Sequence, residues 1–458
     1  MIPGKGIYDS LPVWAQTVAV NFASRRNFRD KYGPDFHRFL AQLKANERKS
    51  RDQLEAEQQQ ALYELLRYAV AHVPFYRDQK LPPDDFAAWP ILDKKSIAAA
   101  PVNFLSDEFD PQRLMTINTS GTTGTPLTVR FTREYHQMEM AFRWRHKTWA
   151  GCPYLSSGAY ISGHPVVPPN QQRPLYWRMD RIEKRLLCSS YHLTLDNLRG
   201  YVDAIREFAP DFIHGYPSSV YLLAKQILDH GTAAPRPRAV FTASETLLDF
   251  QRAVIEEAFG TKAFNWYGTT EFTNNIVECA QGSLHQRLDY GVLELLGNGT
   301  MIATGLNNRA MPLIRYKVGD NATHRDGTCP CACAFPLIER IEGRIEDYVH
   351  TPDGRLVGRL DHLFKDVQHV REAQVVQTKL DELVLRIVRT DGFNEKDEQI
   401  LLGEARQRLG ETIRVRFEFV DTIPRTTAGK FRFIISELPS TEGEGVKERY
   451  VRNFGLEW

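Results

Sequence analysis

An α/β fold in two parts is what this sequence predicts: a large N-terminal domain of sheets and helices that passes into a β-rich section, followed by a small α+β domain. Between about Tyr160 and Trp266, short apolar runs alternate with helical stretches, the pattern of strands joined by crossover helices. After Gly282 the apolar runs follow one another with Gly and Asn punctuation and no helical period, which reads as a β-rich section. The length, 458 residues, exceeds what one hydrophobic core supports, so residues 1–343 and 344–458 are expected as separate domains.

The elements follow in order. From Asp52 to His72, Leu54, Leu62, Leu65, Leu66, Ala69 and Val70 recur at helical spacing, and Val73-Pro74 stops the run because proline cannot continue a helix. Leu127 to Phe131 alternates like a strand, and Arg133 to Trp149 reads as a helix carrying aromatics and cations. Strands are expected at Ala159–Ile161, Phe212–Ile213, Ala239–Phe241 and Ala263–Phe264, with helices over Asp196–Phe208, Val220–Leu228 and Leu248–Phe259 between them. Leu288–Leu296, Thr300–Thr304 and Pro312–Val318 form the β-rich section. Ala373–Gln377, Glu382–Val388, a helix over Glu395–Leu409 and Ile413–Val420 make a final unit of roughly a hundred residues.

Composition excludes some functions. Fifty-eight basic against fifty-seven acidic side chains leave a net charge of +1, which argues against a nucleic-acid binder or a membrane-surface protein driven by overall charge. Small-molecule partners fit better, and a homodimer is allowed. The stretch Leu11 to Ala23 is interrupted by Gln16, Thr17 and Asn21 and is too short to span a bilayer; no secretory cleavage pattern follows, so a cytoplasmic location is expected.

The loop Thr119-Ser-Gly-Thr-Thr-Gly-Thr125 could wrap an anion, because glycine lets backbone N–H groups approach closely. Alone it reads equally as a plain turn, since the Lys-Ser/Thr ending of a P-loop is missing. Behind it stand Trp266-Tyr-Gly-Thr-Thr-Glu271, Arg315-Tyr-Lys-Val-Gly-Asp320, Gly343-Arg-Ile-Glu-Asp347 and Pro424-Arg-Thr-Thr-Ala-Gly-Lys430. Together these stretches resemble the core motifs of adenylate-forming enzymes, the superfamily of acyl-CoA synthetases, peptide-synthetase adenylation domains and luciferase. The helix ending in Val73-Pro-Phe-Tyr-Arg77, the Cys-rich segment and the short chain are most similar to its phenylacetate-CoA ligase and CapK group.

The resemblance implies ATP and Mg²⁺ as cofactors and a small C-terminal domain that turns about a hinge. Thr119, Ser120, Thr122 and Thr123 would contact the β- and γ-phosphates, with Gly121 and Gly124 shaping the loop. Glu271 would help hold Mg²⁺, as a carboxylate suits a hard cation, and Thr270 would face the α-phosphate. Ser244 and Glu245 would line the adenine, Tyr267 beside Gly268 would stack on it, and Asp320 and Arg344 would reach the ribose. Glu346 would be the pivot, where Asp is usual, and Lys317 replaces the commoner Arg of its motif. Lys430 would bridge the incoming carboxylate and the α-phosphate, a point charge on a long stem. Outside that company, Glu271 would read as a helix-start acid, Asp320 as a turn residue and Lys430 as solvated.

By position, Tyr160, His164, His214, Gly215 and Tyr216 approach the acyl group, and the surrounding aromatics favour an aromatic or apolar acid; core packing explains them equally well. Cys279, His285, Cys331 and Cys333 suit a structural zinc, since thiolates and an imidazole complete a closed tetrahedron. Reduced loop thiols are the other reading, and a choice between Cys329 and Cys331 stays open. The family resemblance implies activation of a carboxylic acid as acyl-AMP with pyrophosphate release, then transfer to CoA as in phenylacetate-CoA ligases. The segment His350-Thr-Pro-Asp-Gly-Arg355 departs from the basic glycine loop of CoA ligases, so an amine or sugar acceptor, as in polysaccharide or natural-product biosynthesis, is the alternative. A non-catalytic nucleotide-binding relative is the rival from another class, and the presence of Lys430, Glu271 and Asp320 counts against it.

Overall fold

The computed structural model of the chain describes residues 5–438 apart from 120–126, 164–165, 169–170, 194, 246, 248, 298, 343–348, 354–355, 358–359, 365–366, 368, 390, 422 and 424–433. Two compact units result: Met1–Thr119 with Leu127–Gly343, and a C-terminal unit running from Arg344.

A 12-stranded sheet organises the first unit. One half contains Arg185–Ser189, Gly158–Ser162, Phe212–Gly215, Ala239–Ala243 and Ala263–Gly268 as parallel neighbours. Leu195–Phe208, Pro217–His230 and Asp249–Phe259 are helices between successive strands of this half, the crossover that parallel pairing requires. The other half is antiparallel: Asn275–Glu278, Leu284–Gln286, Leu337–Glu342, Tyr316–Arg325, Thr300–Gly305 and Gly291–Leu295. The change from parallel to antiparallel falls between Ala263–Gly268 and Asn275–Glu278. It coincides with the loss of helical periods in the sequence, so the α/β core and β-rich section are one continuous sheet.

Helices cover this sheet. Arg51–His72 starts with a capping box, Ser50 and Gln53 satisfying each other's backbone N–H groups. Its Leu62, Leu65, Leu66 and Ala69 pack with Met301, Ala303 and Tyr316 of the antiparallel half. Arg133–Trp149 and Pro34–Asn46 bury Phe36, Phe39, Phe142 and Trp144 against Phe212, Phe241 and Phe264 of the parallel half.

The strand expected at Pro312–Val318 begins at Tyr316 instead. The backbone N–H groups of Ile314 and Arg315 are taken by side chains, the Tyr76 hydroxyl at 3.2 Å and Thr304 Oγ1 at 2.8 Å, and Arg315 has φ +52°. Tyr76, fully buried just past the proline stop, also donates to Pro312 O at 3.0 Å. That stop therefore positions the segment leading into the Arg315 motif.

The C-terminal unit has a 4-stranded sheet in the order Arg414–Phe419, Glu382–Arg389, Val370–Lys379, Ile434–Ser436, with helix Glu395–Leu409 packed on it through Leu401, Ala405 and Leu409. Asn394 and Asp397 form its capping box.

Candidate functional site

Three strands of the first unit carry the residues expected around the nucleotide. Ala239–Ala243 runs into Ser244 and Glu245; Ala263–Gly268 ends in Tyr267 and Gly268 and turns through Thr270 and Glu271; Tyr316–Arg325 carries Asp320. The Tyr267 hydroxyl donates to Asp320 Oδ2 at 2.6 Å, and the Tyr316 hydroxyl donates to Glu271 Oε1 at 2.9 Å. Two motifs far apart in the chain are thus cross-linked, each supplying one tyrosine and one carboxylate. Asn275 Nδ2 donates to Tyr267 O at 3.0 Å and holds the strand end from its antiparallel neighbour.

Asp320 lies inside a strand and Glu271 in a turn with no helix after it, so neither takes the bland place that the sequence left open for it. Backbone strain gathers here. Ser244 has φ +76°, Phe272 φ +58° and Arg315 φ +52°, each beside a residue of the constellation. Left-handed non-glycine residues are costly and collect where surrounding structure over-determines them, often at functional sites. Arg315 is held by Glu294 at 2.8 Å and by the carbonyls of Ala87 and Trp89.

Thr119 is buried; its N–H donates to Leu127 O at 2.9 Å, and its Oγ1 accepts from Leu127 N at 2.9 Å. That reciprocal pair closes the neck of the glycine and hydroxyl loop. Ser120, Gly121, Thr122, Thr123 and Gly124 lie outside the described residues, as do His164, Arg344, Glu346 and Lys430.

Of the expected acyl-site residues, Tyr160, His214 and Gly215 sit on the neighbouring parallel strands and Tyr216 directly follows one. Tyr160 and His214 are register partners with ring centroids 5.3 Å apart. The Tyr216 hydroxyl accepts from Gly163 N at 3.2 Å while Tyr191 donates to Gly163 O at 2.9 Å; a Cβ at Gly163 would stand 2.9 Å from the Tyr191 hydroxyl. A Cβ at Gly215 would stand 2.7 Å from Ile161 O, so glycine permits the close strand approach there.

Helix Arg133–Trp149, expected as a helix carrying aromatics and cations, packs against these strands and buries titratable groups there that the sequence did not single out. His136, Glu139, Arg143 and Lys147 follow one another at helical spacing. Tyr135 donates to the buried Glu139 at 2.8 Å, and burial raises that carboxyl's pKa. Burial pushes His136 down to about 4 and Lys147 down to about 7. Lys147 Nζ stands over the rings of Trp144, Phe212 and Tyr160 at 4.9, 5.1 and 5.9 Å. The helical period was the available signal; which face met the sheet was not.

The cysteine corner lies on the antiparallel strands next to the parallel half. Cys279 ends Asn275–Glu278, His285 sits in Leu284–Gln286, and Cys329 and Cys331 occupy the turn beyond Tyr316–Arg325. Their ligand atoms all lie within 4.8 Å of one another. Cys279 and Cys329 sulfurs are 3.7 Å apart, and Cys331 Sγ is 3.4 Å from His285 Nε2. His285 Nδ1 lies 3.2 Å from Phe335 O, a partner that places the proton on Nδ1 and turns Nε2 to the thiols. Cys329 thus stands in the place expected for Cys333. Ala332, at φ +61°, turns the chain between Cys331 and Cys333, and Cys333, outside the cluster, lines a cleft of about 460 Å³ together with Cys279, Cys331, Glu47 and Trp149. Sulfurs on a tetrahedral zinc with bonds of about 2.3 Å stand about 3.7 Å apart, so the set fits that ion.

Comparison with known proteins follows this geometry. Residues 349–437 match the CapK C-terminal domain family. Protein CapK of Staphylococcus aureus is 26% identical over 460 residues, covering 94% of this chain and 99% of that one. A phenylacetate-coenzyme A ligase of Thermus thermophilus is 23% identical, covering 84% of this chain and 97% of its own. Among solved structures, a 2-hydroxyisobutyryl-CoA ligase in complex with 2-HIB-AMP and CoA shares the fold at TM-score 0.55, 17% identity, 88% of this chain and 94% of that one.

Proposed function

Since the chain belongs to the adenylate-forming ligases, in their CapK and phenylacetate-CoA ligase-like group, we propose that it activates an aromatic or apolar carboxylic acid as acyl-AMP with release of pyrophosphate, then passes the acyl group to CoA. The observation that carries this reading is the pair of cross-motif contacts, Tyr267 to Asp320 and Tyr316 to Glu271. They hold two carboxylates of different task at one sheet end.

Asp320 has an oxygen to accept each ribose hydroxyl proton, and Tyr267 orients it while offering a ring face to the base. Glu271, oriented by Tyr316, is the carboxylate for Mg²⁺, which when bound offsets charge on the leaving phosphates. Ser120, Thr122 and Thr123 donate to the phosphates from the loop whose neck Thr119 closes, and Thr270 faces the α-phosphate. The substrate carboxylate, seated by Tyr160, His214 and Tyr216, attacks the α-phosphorus; the bond to pyrophosphate breaks and an acyl-phosphate bond forms. Lys430 offsets the repulsion of the two anions in that transition state. Rotation of the C-terminal domain about Glu346, with Arg344 following the ribose, then admits the acceptor.

Cys279, His285, Cys329 and Cys331 hold a structural zinc, because four protein ligands leave no open position for chemistry. An amine or sugar acceptor is the second reading, favoured by the CapK match over 349–437 and by the unusual segment at His350. The test loads the enzyme with ATP, Mg²⁺ and an activated acid, then adds CoA or an amine panel. Thioester mass with faster AMP release supports CoA; amide mass with no response to CoA replaces it by the second reading.

A further inference from the structure

Helix Val13–Lys31 is built inside out. Its inward face is polar on either side of Val20, which packs with Tyr8 and Leu187: Gln16, 2% exposed, donates to the carbonyls of Tyr8 and Leu11 and accepts from Arg178; Ser24 donates to Asp180 at 2.9 Å; Asn21 donates to Met179 O at 2.7 Å. These residues tie it to the edge strand Trp177–Asp180 and the turn after it. Its outward face is apolar: Trp14, Val18 and Phe22, at successive helical turns, are 73%, 61% and 71% exposed, and Ile7 of the preceding helix is 73% exposed. A helix on a soluble core normally shows the reverse polarity, and a contiguous row of large apolar side chains in water marks a surface that something covers.

Charge selects the occupant. The exposed side of the same helix continues into Arg25, Arg26 and Arg29, all exposed and without an ion-pair partner among the described residues. Acidic residues between positions 5 and 31 are few: Asp9, and Asp30, which is held by Arg133 at 3.0 Å. A second copy docked through this face would bring cations to cations with little acid to receive them. An anionic lipid surface meets both halves of the row, acyl chains receiving the rings and headgroup phosphates the guanidiniums. None of the described helices is long and apolar enough to cross a membrane, so the geometry is that of a helix lying in the interface.

We propose that the outward row of helix Val13–Lys31, with Ile7, binds the chain peripherally to an anionic lipid surface: Trp14, Val18 and Phe22 insert, and Arg25, Arg26 and Arg29 contact headgroup phosphates. The net charge of +1 for the whole chain hides this local concentration of cations. The reading is independent of the ligase assignment.

The test is flotation of the full chain with vesicles of phosphatidylglycerol mixed into phosphatidylcholine, and with phosphatidylcholine alone. Binding to the mixed vesicles that falls as salt rises is expected. Trp14→Ser with Phe22→Ser should weaken it by at least about tenfold, the loss of two buried rings. Reversing Arg25, Arg26 and Arg29 to Glu should erase the preference for anionic lipid. Trp14→Phe should still bind while losing part of the lipid-induced blue shift of tryptophan emission. Because the side chains face outward, the serine variants should melt at the wild-type temperature; a large drop would show that the row is packed within the protein and overturn the proposal. No flotation with either vesicle overturns it too, as does a solution dimer that Trp14→Ser dissociates, which makes the row an interface between copies.

Discussion

Glu271, in the turn that leads into the antiparallel half-sheet, and Asp320, on one of its strands, share that half-sheet with the corner at Cys279 and His285, yet the two regions are built on opposite plans. The first is open: its two carboxylates are oriented by tyrosines and half-exposed, so they can exchange partners with a ligand. The second is turned in on itself: Cys279, His285 and Cys329 are buried, Cys331 is half-buried, and the thiols and imidazole lie within 4.8 Å of one another beside the cleft that Cys279 and Cys331 help to line. Openness goes with turnover and closure with stability, so substitutions in the two regions should separate activity from folding.

The largest effect is expected at the open site. Lys430→Ala and Glu271→Gln should each lower acid-dependent pyrophosphate exchange by on the order of 10²–10³-fold with little change in melting temperature, the usual cost of one electrostatic contact made in the transition state. Glu271→Gln should also shift the Mg²⁺ titration; an unmoved titration would remove Glu271 from the metal. At the closed site, about one zinc per chain is expected by elemental analysis. Cys329→Ser should lower zinc affinity by more than the tenfold to hundredfold that loss of an outer partner costs, and lower the melting temperature, while Cys333→Ser leaves both unchanged. Equal effects of the two would mean that the turn at Ala332 does not choose the ligand.

A smaller effect sharpens the boundary. Tyr267→Phe removes one hydrogen bond to Asp320 and should raise the KM for ATP by about tenfold with a modest change in kcat, consistent with a charge-assisted bond of about 1.5–3 kcal/mol partly replaced by water. A change in kcat alone would give Tyr267 a different task.

How far each region was legible follows from the same contrast. Tyr267, Glu271 and Asp320 could be singled out because the phosphate and ribose chemistry that the motifs imply asks for fixed residue types in a fixed order. Their mutual contacts were not, since hydrogen bonds between strands far apart in the chain leave no local period. Four of the five parallel strands described above, and the crossover helices, were found because apolar periodicity is local; Arg185–Ser189 was not expected. Val13–Lys31 was not read as a helix: of its buried residues Gln16, Val20 and Ser24 only Val20 is apolar, so the apolar period that marks a buried face is missing. The choice between Cys329 and Cys331 stayed open, with Cys333 taken as a ligand, because spacing does not show the turn at Ala332, beside which both Cys329 and Cys331 meet Cys279 and His285 and Cys333 does not.

Lys147 provides the smallest effect. Burial lowers its pKa from 10.5 to about 7, so between those values the unfolded chain binds more protons than the folded one. Stability lost to this lysine is therefore recovered as pH rises from about 7 towards 10.5. The melting temperature of the native chain should rise relative to Lys147→Met across that window, and the two profiles should run parallel below it. Parallel profiles throughout would show that Lys147 titrates as an ordinary amine.

The comparison rests on the open site being where an acid is adenylated. Exchange of labelled pyrophosphate into ATP, measured on the purified chain with Mg²⁺ and a panel of aromatic, fatty and amino acids, tests this directly. The account predicts exchange that depends on one class of acid, most strongly an aromatic or apolar one, that disappears in Asp320→Ala and persists in Cys333→Ser. Absence of acid-dependent exchange across the panel, with ATP still bound, would contradict it and leave a nucleotide-binding relative without ligase turnover.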